Sequence, residues 1–475
     1  MRGAMKRAMA ECGEKRAMAR LILLTATIPP IAKIGAGYLS LAKEAVHPIS
    51  GGAMERLLRT SSAAFILVLC LVPASFAQQP LTWQEVRERF IDRNPTLLAG
   101  RMGIEEAKAQ EVTASLRPNP QFTAATDYIH PFRSYGALDD AQPSVSLSYL
   151  FERMNKRELR YETAKKGTAV AASQLADQAR TLLFTLRSAF IQVLQQKAIL
   201  ALARENLAYY DRVLDVSAER FKTGDIAQVD LNRLQLQRVQ YESDVQTAMV
   251  NLRTAKIQLL MLLNDRRPVE QFDVAGPFDF SEAIRPLSDF RQLALDTRPD
   301  LKAAVLAIDQ AKSSHDLAEA DASTDPTISL DGGRLPQSSG GPYGFGYVGV
   351  SVSIPLRIFD RNQGERARTK LDIARSERLR DAVEAQAMGD VESAYAAITS
   401  TVILLKPYKT HYLQQASTVR DTVTFSYERG GASLLDFLDA QRDYRSVRVA
   451  YLTLVGSYLS AAAQLNLAVG REVIE

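Results

Sequence analysis

Cysteine is nearly absent from this 475-residue chain, and its two cysteines, Cys12 and Cys70, both lie within the first 77 residues. A chain that loses that segment by processing keeps no thiol for a disulfide bond, a zinc site or a catalytic thiolate. The sequence therefore excludes thiol and redox chemistry from the remaining residues.

Patterns typical of an active site are missing too. His130, His315 and His411 fall in different predicted elements, so we expect no metal site. The sequence contains no glycine-rich phosphate loop and no dinucleotide fingerprint, and its serines have no histidine or aspartate at triad spacing. We predict no cofactor and no enzymatic activity.

A basic surface for nucleic acid is also missing once the leader is set aside. Residues 1–77 contain ten Lys or Arg and four Glu, a net charge of +6, whereas the whole chain carries +4, so residues 78–475 carry −2. We expect no binding to nucleic acid.

The leader has the pattern of a secretory signal peptide over residues 54–77, where two arginines precede an apolar run and small residues lead up to Ala77. We predict cleavage after Ala77 and no lipidation at Cys70, which follows Leu69 rather than a small residue. Residues 1–53 are interpreted as an extension from a start codon assigned too early, with an N-terminal anchor as the alternative.

The rest of the sequence contains an internal duplication. Gly224 stands 206 positions before Gly430, and prolines and strand-like segments elsewhere repeat at offsets of 204 to 206. So constant an offset predicts two structural repeats, at residues 78–270 and 271–475.

Helical periodicity dominates each repeat. No proline occurs between Pro143 and Pro268, and apolar residues there alternate at spacings of three and four, as in a coiled coil. The longest predicted helix has roughly 65 residues and spans ~100 Å, and it should lie antiparallel to two shorter helices, with the strands at one pole and the glycine turn at the other. Pro407 should kink its counterpart in the second repeat. The predicted helices span residues 95–116, 155–221, 226–264, 299–322, 362–427 and 434–469.

Four segments, two in each repeat, show the alternation of β-strands. Val145, Leu147 and Tyr149 alternate with serines, and the valines after Tyr347 alternate with glycine and serine. Four strands cannot close a barrel by themselves and would expose their edges. Strands of about ten residues with one apolar face suit an outer membrane if several chains pool them into one barrel.

The duplicated turns and the segment YERGGASLLDFLDAQR at 427–442 closely resemble the bacterial outer-membrane efflux family typified by TolC, over essentially all of 81–471. The resemblance implies a mainly α-helical homotrimer with a periplasmic α-barrel and four strands per chain in a twelve-stranded barrel surrounded by outer-membrane lipid. It also implies a periplasmic adaptor (membrane fusion) protein and an inner-membrane pump of the RND or ABC type as partners. The expected function is a gated exit duct for small toxic compounds or metal cations. Metal cations are included because the segment FERMNKRELR at 151–160 is similar to a basic stretch of the heavy-metal subgroup of this family.

The same resemblance assigns roles to residues at the tip of the helices. The implied residues are Tyr427, Asp436 and Asp439 for the periplasmic gate, and Gly224, Asp225, Asp230, Gly430 and Gly431 for the turns that contact the adaptor. One departure concerns a basic residue that the best-known member carries two positions after the second turn glycine. That position is Ala432 here, and Arg429 is the candidate replacement.

A structural role is the alternative for the acidic residues. Ser433 and Asp436 have the spacing of a capping box, and acids in a first helical turn are favoured by the helix dipole. Asp439 lies a turn further along and is the better pore candidate, whereas Asp230 has Arg233 rather than a second acid beside it. For the whole protein, the alternative is a secreted, trimeric coiled-coil structural protein of the envelope without channel activity.

Overall fold

The computed structural model describes residues 80–129, 132, 141–335 and 345–474. The predicted extension and signal peptide, residues 1–77, lie outside the described residues, and so does His130.

Helices account for most of the described chain, and four strands form its sheet. The elements in chain order are α1 (Trp83–Arg93), α2 (Pro95–Ser115), β1 (Gln121–Asp127), β2 (Gln142–Leu150), α3 (Lys156–Thr223), α4 (Gln228–Leu262), α5 (Leu287–Thr297), α6 (Pro299–Asp321), β3 (Thr327–Arg334), β4 (Gly346–Ser353), α7 (Gln363–Pro407), a π-helix (Tyr408–Tyr412), α8 (Leu413–Glu428) and α9 (Leu434–Val469). The predicted fold class, mainly helical with four strands, is confirmed. The short helices α1 and α5 were not predicted.

Helix α3 is an unbroken rod of 68 residues, about 100 Å long at 1.5 Å per residue. It begins after Asn155 and ends at Gly224, and both of these flanking residues have left-handed backbone conformations. Along its length α3 packs against α2, α4, α6 and α9. The predicted arrangement of one long helix beside two shorter ones is therefore present.

The long helix of the second repeat, predicted over 362–427 with a kink at Pro407, is divided into three helical segments at that proline. Helix α7 ends at Pro407, a π-helical turn follows at Tyr408–Tyr412, and α8 continues from Leu413. Proline has no N–H to donate within the helix, and its ring crowds the preceding turn. A kink was expected at Pro407, and the chain forms a π-helical turn there.

The apolar seam of α3 is buried in its middle section, where Leu186, Phe190 and Val193 are at most 2% exposed. Helix α9 forms a second core with α7, which includes Val391 and Ile398. Among the described helices, α9 alone is long and apolar enough to cross a membrane, but 56% of its most apolar window is buried within the chain. Packing against α7 therefore accounts for the apolar character of α9.

The sheet has the order β1-β2-β3-β4, and all neighbouring strands are antiparallel. Within the described residues, β1 and β4 each have one edge without a strand partner. The register sorts the side chains into two faces, because successive residues of a strand point to opposite sides. One row of the first face contains Phe122, Leu147, Leu330 and Val350, and the adjacent row of the other face contains Thr123, Ser146, Asp331 and Gly349.

Candidate functional site at the helical tip

Both helical hairpins reverse direction through the same backbone motif. Gly224 has φ +84° and Gly430 has φ +80°, a left-handed conformation that strains any residue with a β-carbon. At the first turn the Asp225 N–H donates to the Arg220 carbonyl at 2.8 Å, and the Gly431 N–H donates to the carbonyl five residues before it, also at 2.8 Å. These bonds satisfy carbonyls that the ends of α3 and α8 would leave without partners.

Arg220 joins the two hairpins. It lies in the last turn of α3, and its Nη1 donates to the carbonyl of Tyr427, in the last turn of α8, at 2.7 Å. Its guanidinium carbon lies 5.5 Å from the centre of the Tyr427 ring. One side chain of the first repeat therefore caps a helix of the second repeat and covers its aromatic ring.

An apolar cluster lies next to this contact, and we call it the tip cluster. Its buried members are Tyr210, Val213, Leu234, Tyr241, Tyr427 and Phe437. The Tyr427 and Phe437 rings are stacked with centres 5.0 Å apart, and those of Tyr210 and Tyr241 are stacked at 4.6 Å. Burial raises the pKa of the Tyr210 phenol, which stays neutral and donates to the Leu234 carbonyl at 3.1 Å. The tip cluster thus packs residues of both repeats together.

Tyr427 takes part in the tip cluster through its ring rather than its hydroxyl. The residue is 4% exposed, and within the described residues its buried hydroxyl oxygen has no hydrogen-bond partner. Ala432 packs against the same cluster. The guanidinium of Arg429, the candidate replacement for the missing basic residue, stacks on Phe425 with its carbon 3.5 Å from the ring centre.

Asp436 caps its own helix. Its Oδ2 accepts hydrogen bonds from the Ser433 N–H at 3.1 Å and from Ser433 Oγ at 2.7 Å, and its own N–H donates to Ser433 Oγ at 3.2 Å. The side-chain and backbone hydrogen bonds from Ser433 lower the pKa of Asp436, so its carboxylate stays charged. The capping box predicted as the alternative is therefore present, and the exposed carboxylate still contributes a negative charge to the tip.

The other predicted acids lie at the same pole and have local partners. Asp439 is paired with Arg442 at 3.3 Å, and its side chain remains 48% exposed. Asp230 lies 3.8 Å from Arg233, and the Asp225 carboxylate accepts a hydrogen bond from a neighbouring threonine hydroxyl at 2.9 Å. The structure thus brings the predicted residues to one end of the molecule, with Tyr427 buried and the acids facing solvent.

Sequence reasoning missed Arg220. The residue occupies the position of the first repeat that corresponds to Ser426 in the second, so the two tips differ in charge there. This difference in charge between the two repeats was the signal in the sequence that could have pointed to Arg220. Its partner, Tyr427, lies 207 positions away in the sequence, and only the packing of the repeats shows the contact.

Comparisons with known proteins agree with this architecture. The chain matches the family model described as "Outer membrane efflux protein" over residues 86–265 and 290–471. It is 24% identical over 398 residues to the cobalt-zinc-cadmium resistance protein CzcC of Cupriavidus metallidurans, covering 83% of this chain and 91% of that protein. It is 21% identical to the outer membrane protein TolC of Escherichia coli, covering 82% of each.

A solved structure of CusC has a similar fold, with a TM-score of 0.69 at 17% identity over 82% of this chain and 92% of the other. The paired helical tips, the four-stranded sheet and the family match along both halves of the chain lead to one assignment. The chain belongs to the outer membrane efflux protein family and resides in the outer membrane, with its long helices in the periplasm.

Proposed function

We propose that this chain is one subunit of a trimeric exit duct that is gated at its helical tip. The observation that carries the proposal is the sheet, which has one apolar face, one polar face and, among the described residues, two edges without a strand partner, at the pole opposite the glycine turns. Three copies would join these edges and close a twelve-stranded barrel, an even strand number of the kind found in outer membranes. Without closure, the edges would remain open to aggregation.

The two faces of the sheet suit such a barrel. Val348 and Val350 on the apolar face are 80% and 73% exposed in the single chain, as expected of side chains that meet lipid. The opposite face carries mainly hydroxyl groups, and Asp331 on that face accepts a hydrogen bond from Ser351 at 3.1 Å. A lumen lined in this way would conduct polar and charged solutes.

The tip supplies the proposed gate. Arg220 and the tip cluster hold the two hairpins of each chain together, so we infer that Tyr427 acts in the gate through packing. The carboxylates of Asp436 and Asp439 would form rings around the threefold axis and attract cations. The turns at Gly224 and Gly430 would contact the adaptor.

The partners and cargo of the proposed duct follow from the same family. A periplasmic adaptor protein and an inner-membrane pump of the RND or ABC type would load the duct. The similarity to a cobalt-zinc-cadmium resistance protein supports metal cations as cargo, with small toxic compounds as the other candidate class. The shared order of elements and the two family matches support residues 78–270 and 271–475 as structural repeats.

Conductance in a planar bilayer tests the proposal. Protein purified from outer membranes should show small, cation-selective channels that divalent cations block. The variant Asp436→Asn/Asp439→Asn should need a divalent concentration on the order of tenfold higher for half block, because two negative charges per chain are removed from the aperture. The control Glu105→Gln/Glu106→Gln removes the same charge from α2 and should leave the block unchanged.

Two other outcomes would count against the proposal. Folded protein that never forms channels would favour the structural coiled-coil alternative. Channels whose divalent block is the same in the parent and the tip variant would be consistent with the duct, but Asp436 would then be only a helix cap and Asp439 only the partner of Arg442.

A further inference from the structure

Apolar side chains continue past the end of the sheet that joins the helices. We call this region the collar and define it as residues 149–153 and 354–361. The rings of Tyr149 and Phe151 meet edge to face, with centres 4.8 Å apart and planes at 84°. After β4, Leu356, Ile358 and Phe359 are 78%, 61% and 90% exposed. So much exposed apolar surface at a sheet boundary calls for an apolar partner.

The backbone shows which way the first part of the collar faces. The Phe151 N–H donates to the Pro326 carbonyl at 2.9 Å, and the Arg153 N–H donates to Asp325 Oδ1 at 2.9 Å. N–H groups two residues apart that turn to the same neighbour place their side chains on one face of an extended chain. Arg153 therefore follows Tyr149 and Phe151 on the apolar face of β2.

The depth of the collar agrees with a membrane boundary. The outward apolar positions from Val348 to Leu356 cover about 26 Å along the chain, or about 20 Å along the membrane normal at a strand tilt of about 40°. The apolar band of an outer-membrane barrel is about 25 Å tall. The collar thus lies at the periplasmic rim of that band, where aromatic girdles occur.

The carboxylates near the collar already have cationic partners. Glu152 is paired with Arg160, and Asp325 accepts a hydrogen bond from the buried Lys156 ammonium at 2.6 Å. These two ion pairs fix the start of α3 against the segment that leads into β3.

Three arginines of the collar remain without an acidic partner in the part of the chain that the structure describes. They are Arg153, Arg357 and Arg361. The one carboxylate between the latter two, Asp360, accepts the backbone N–H of Asn362 at 2.9 Å. The collar is therefore a band of exposed apolar side chains in which these three arginines outnumber the Asp360 carboxylate and leave a net positive charge.

We propose that the collar binds anionic phospholipid in the inner leaflet of the outer membrane, a proposal that rests on the proposed barrel. The aromatic and aliphatic residues enter the acyl region, as the continuity with the apolar strand face requires. Arg153, Arg357 and Arg361 bind the headgroup phosphates, whose geometry matches the planar guanidinium. The charge complementarity selects phosphatidylglycerol over a zwitterionic lipid.

Spin-labelled lipids test this proposal on protein purified from outer membranes and reconstituted in phosphatidylcholine. Electron paramagnetic resonance resolves the lipid held at the protein surface, and labelled phosphatidylglycerol is compared with labelled phosphatidylcholine. The parent should prefer phosphatidylglycerol by on the order of fivefold in relative association constant, and added salt should reduce that preference. The variant Arg153→Gln/Arg357→Gln/Arg361→Gln should bring the ratio close to one.

The control Arg204→Gln/Arg253→Gln/Arg375→Gln removes the same charge from exposed helix surfaces and should keep the parent preference. A parent without preference, or a collar variant that retains it, would overturn the proposal. If neither labelled lipid shows an immobilised component, the protein has no lipid-facing surface and the proposed barrel fails together with the collar. The phosphatidylcholine signal therefore distinguishes the two failures.

Discussion

Replacing Arg220 with alanine is expected to raise the resting conductance of the proposed duct. The substitution removes the 2.7 Å hydrogen bond from Arg220 Nη1 to the Tyr427 carbonyl and the guanidinium that covers the Tyr427 ring. A hydrogen bond to a charged group contributes about 1.5–3 kcal/mol, so the closed tip should lose on the order of tenfold or more of its population advantage in each subunit. Single-channel recordings in a planar bilayer would measure this as a larger open probability.

The contact is well placed for such an effect, because it connects the two hairpins beside their glycine turns. Arg220→Lys keeps the charge but has no planar fork, and it should give an intermediate open probability. The control Lys222→Ala removes a neighbouring cation that is paired with Glu219 on the same helix, and its conductance should equal that of the parent. An unchanged resting conductance in Arg220→Ala would show that the tip cluster alone closes the duct.

Replacing Arg298 with methionine is expected to cause a large loss of stability. Arg298 is 4% exposed and donates to Asp300 at 2.6 Å, to Asp390 at 3.0 Å and to the Ala468 carbonyl at 3.0 Å. The last bond helps to close the C-terminal end of α9, where Arg180 donates to the adjacent carbonyl at 2.6 Å. Removing one partner of a buried charge network typically costs about 3–5 kcal/mol.

Urea unfolding followed by circular dichroism would measure this loss as a decrease in the free energy of unfolding. Arg375→Met is the matched control, because Arg375 also pairs with an aspartate, Asp372, but its side chain is 70% exposed. A surface pair contributes about 0–1 kcal/mol, so the control should remain close to the parent. Similar losses in the two variants would contradict the role assigned to Arg298.

The same network predicts a dependence of stability on pH. Burial alone would raise the pKa of Asp300, but the hydrogen bonds and charge of Arg298 outweigh burial and lower the pKa below its ordinary value of 3.8. Because the folded-state pKa is the lower one, the stabilisation is complete above pH 3.8 and is lost as the pH falls through the folded value. The stability difference between the parent and Asp300→Asn should therefore be constant at neutral pH and shrink in acid. A difference that grows as the pH falls would contradict this assignment.

Features that depend on neighbours along the chain could be read from the sequence. The absence of proline between Pro143 and Pro268 and the coiled-coil spacing predicted α3 to within a few residues at each end. The alternation of apolar and hydroxyl residues predicted all four strands, and the spacing of Ser433 and Asp436 predicted a capping box. These signals are local, because a helix, a strand or a cap is defined by residues a few positions apart.

The sequence by itself thus determined the long helices, the strand faces and the turn glycines, since backbone conformation and side-chain periodicity follow from local chemistry. Only the tertiary structure decided which side chains meet partners far away in the sequence. Arg220 meets a carbonyl 207 positions away, and Arg298 meets one 170 positions away. Such contacts depend on how two rigid helices are placed beside each other, and a shift of one helical turn, about 5.4 Å, would give each arginine a different partner.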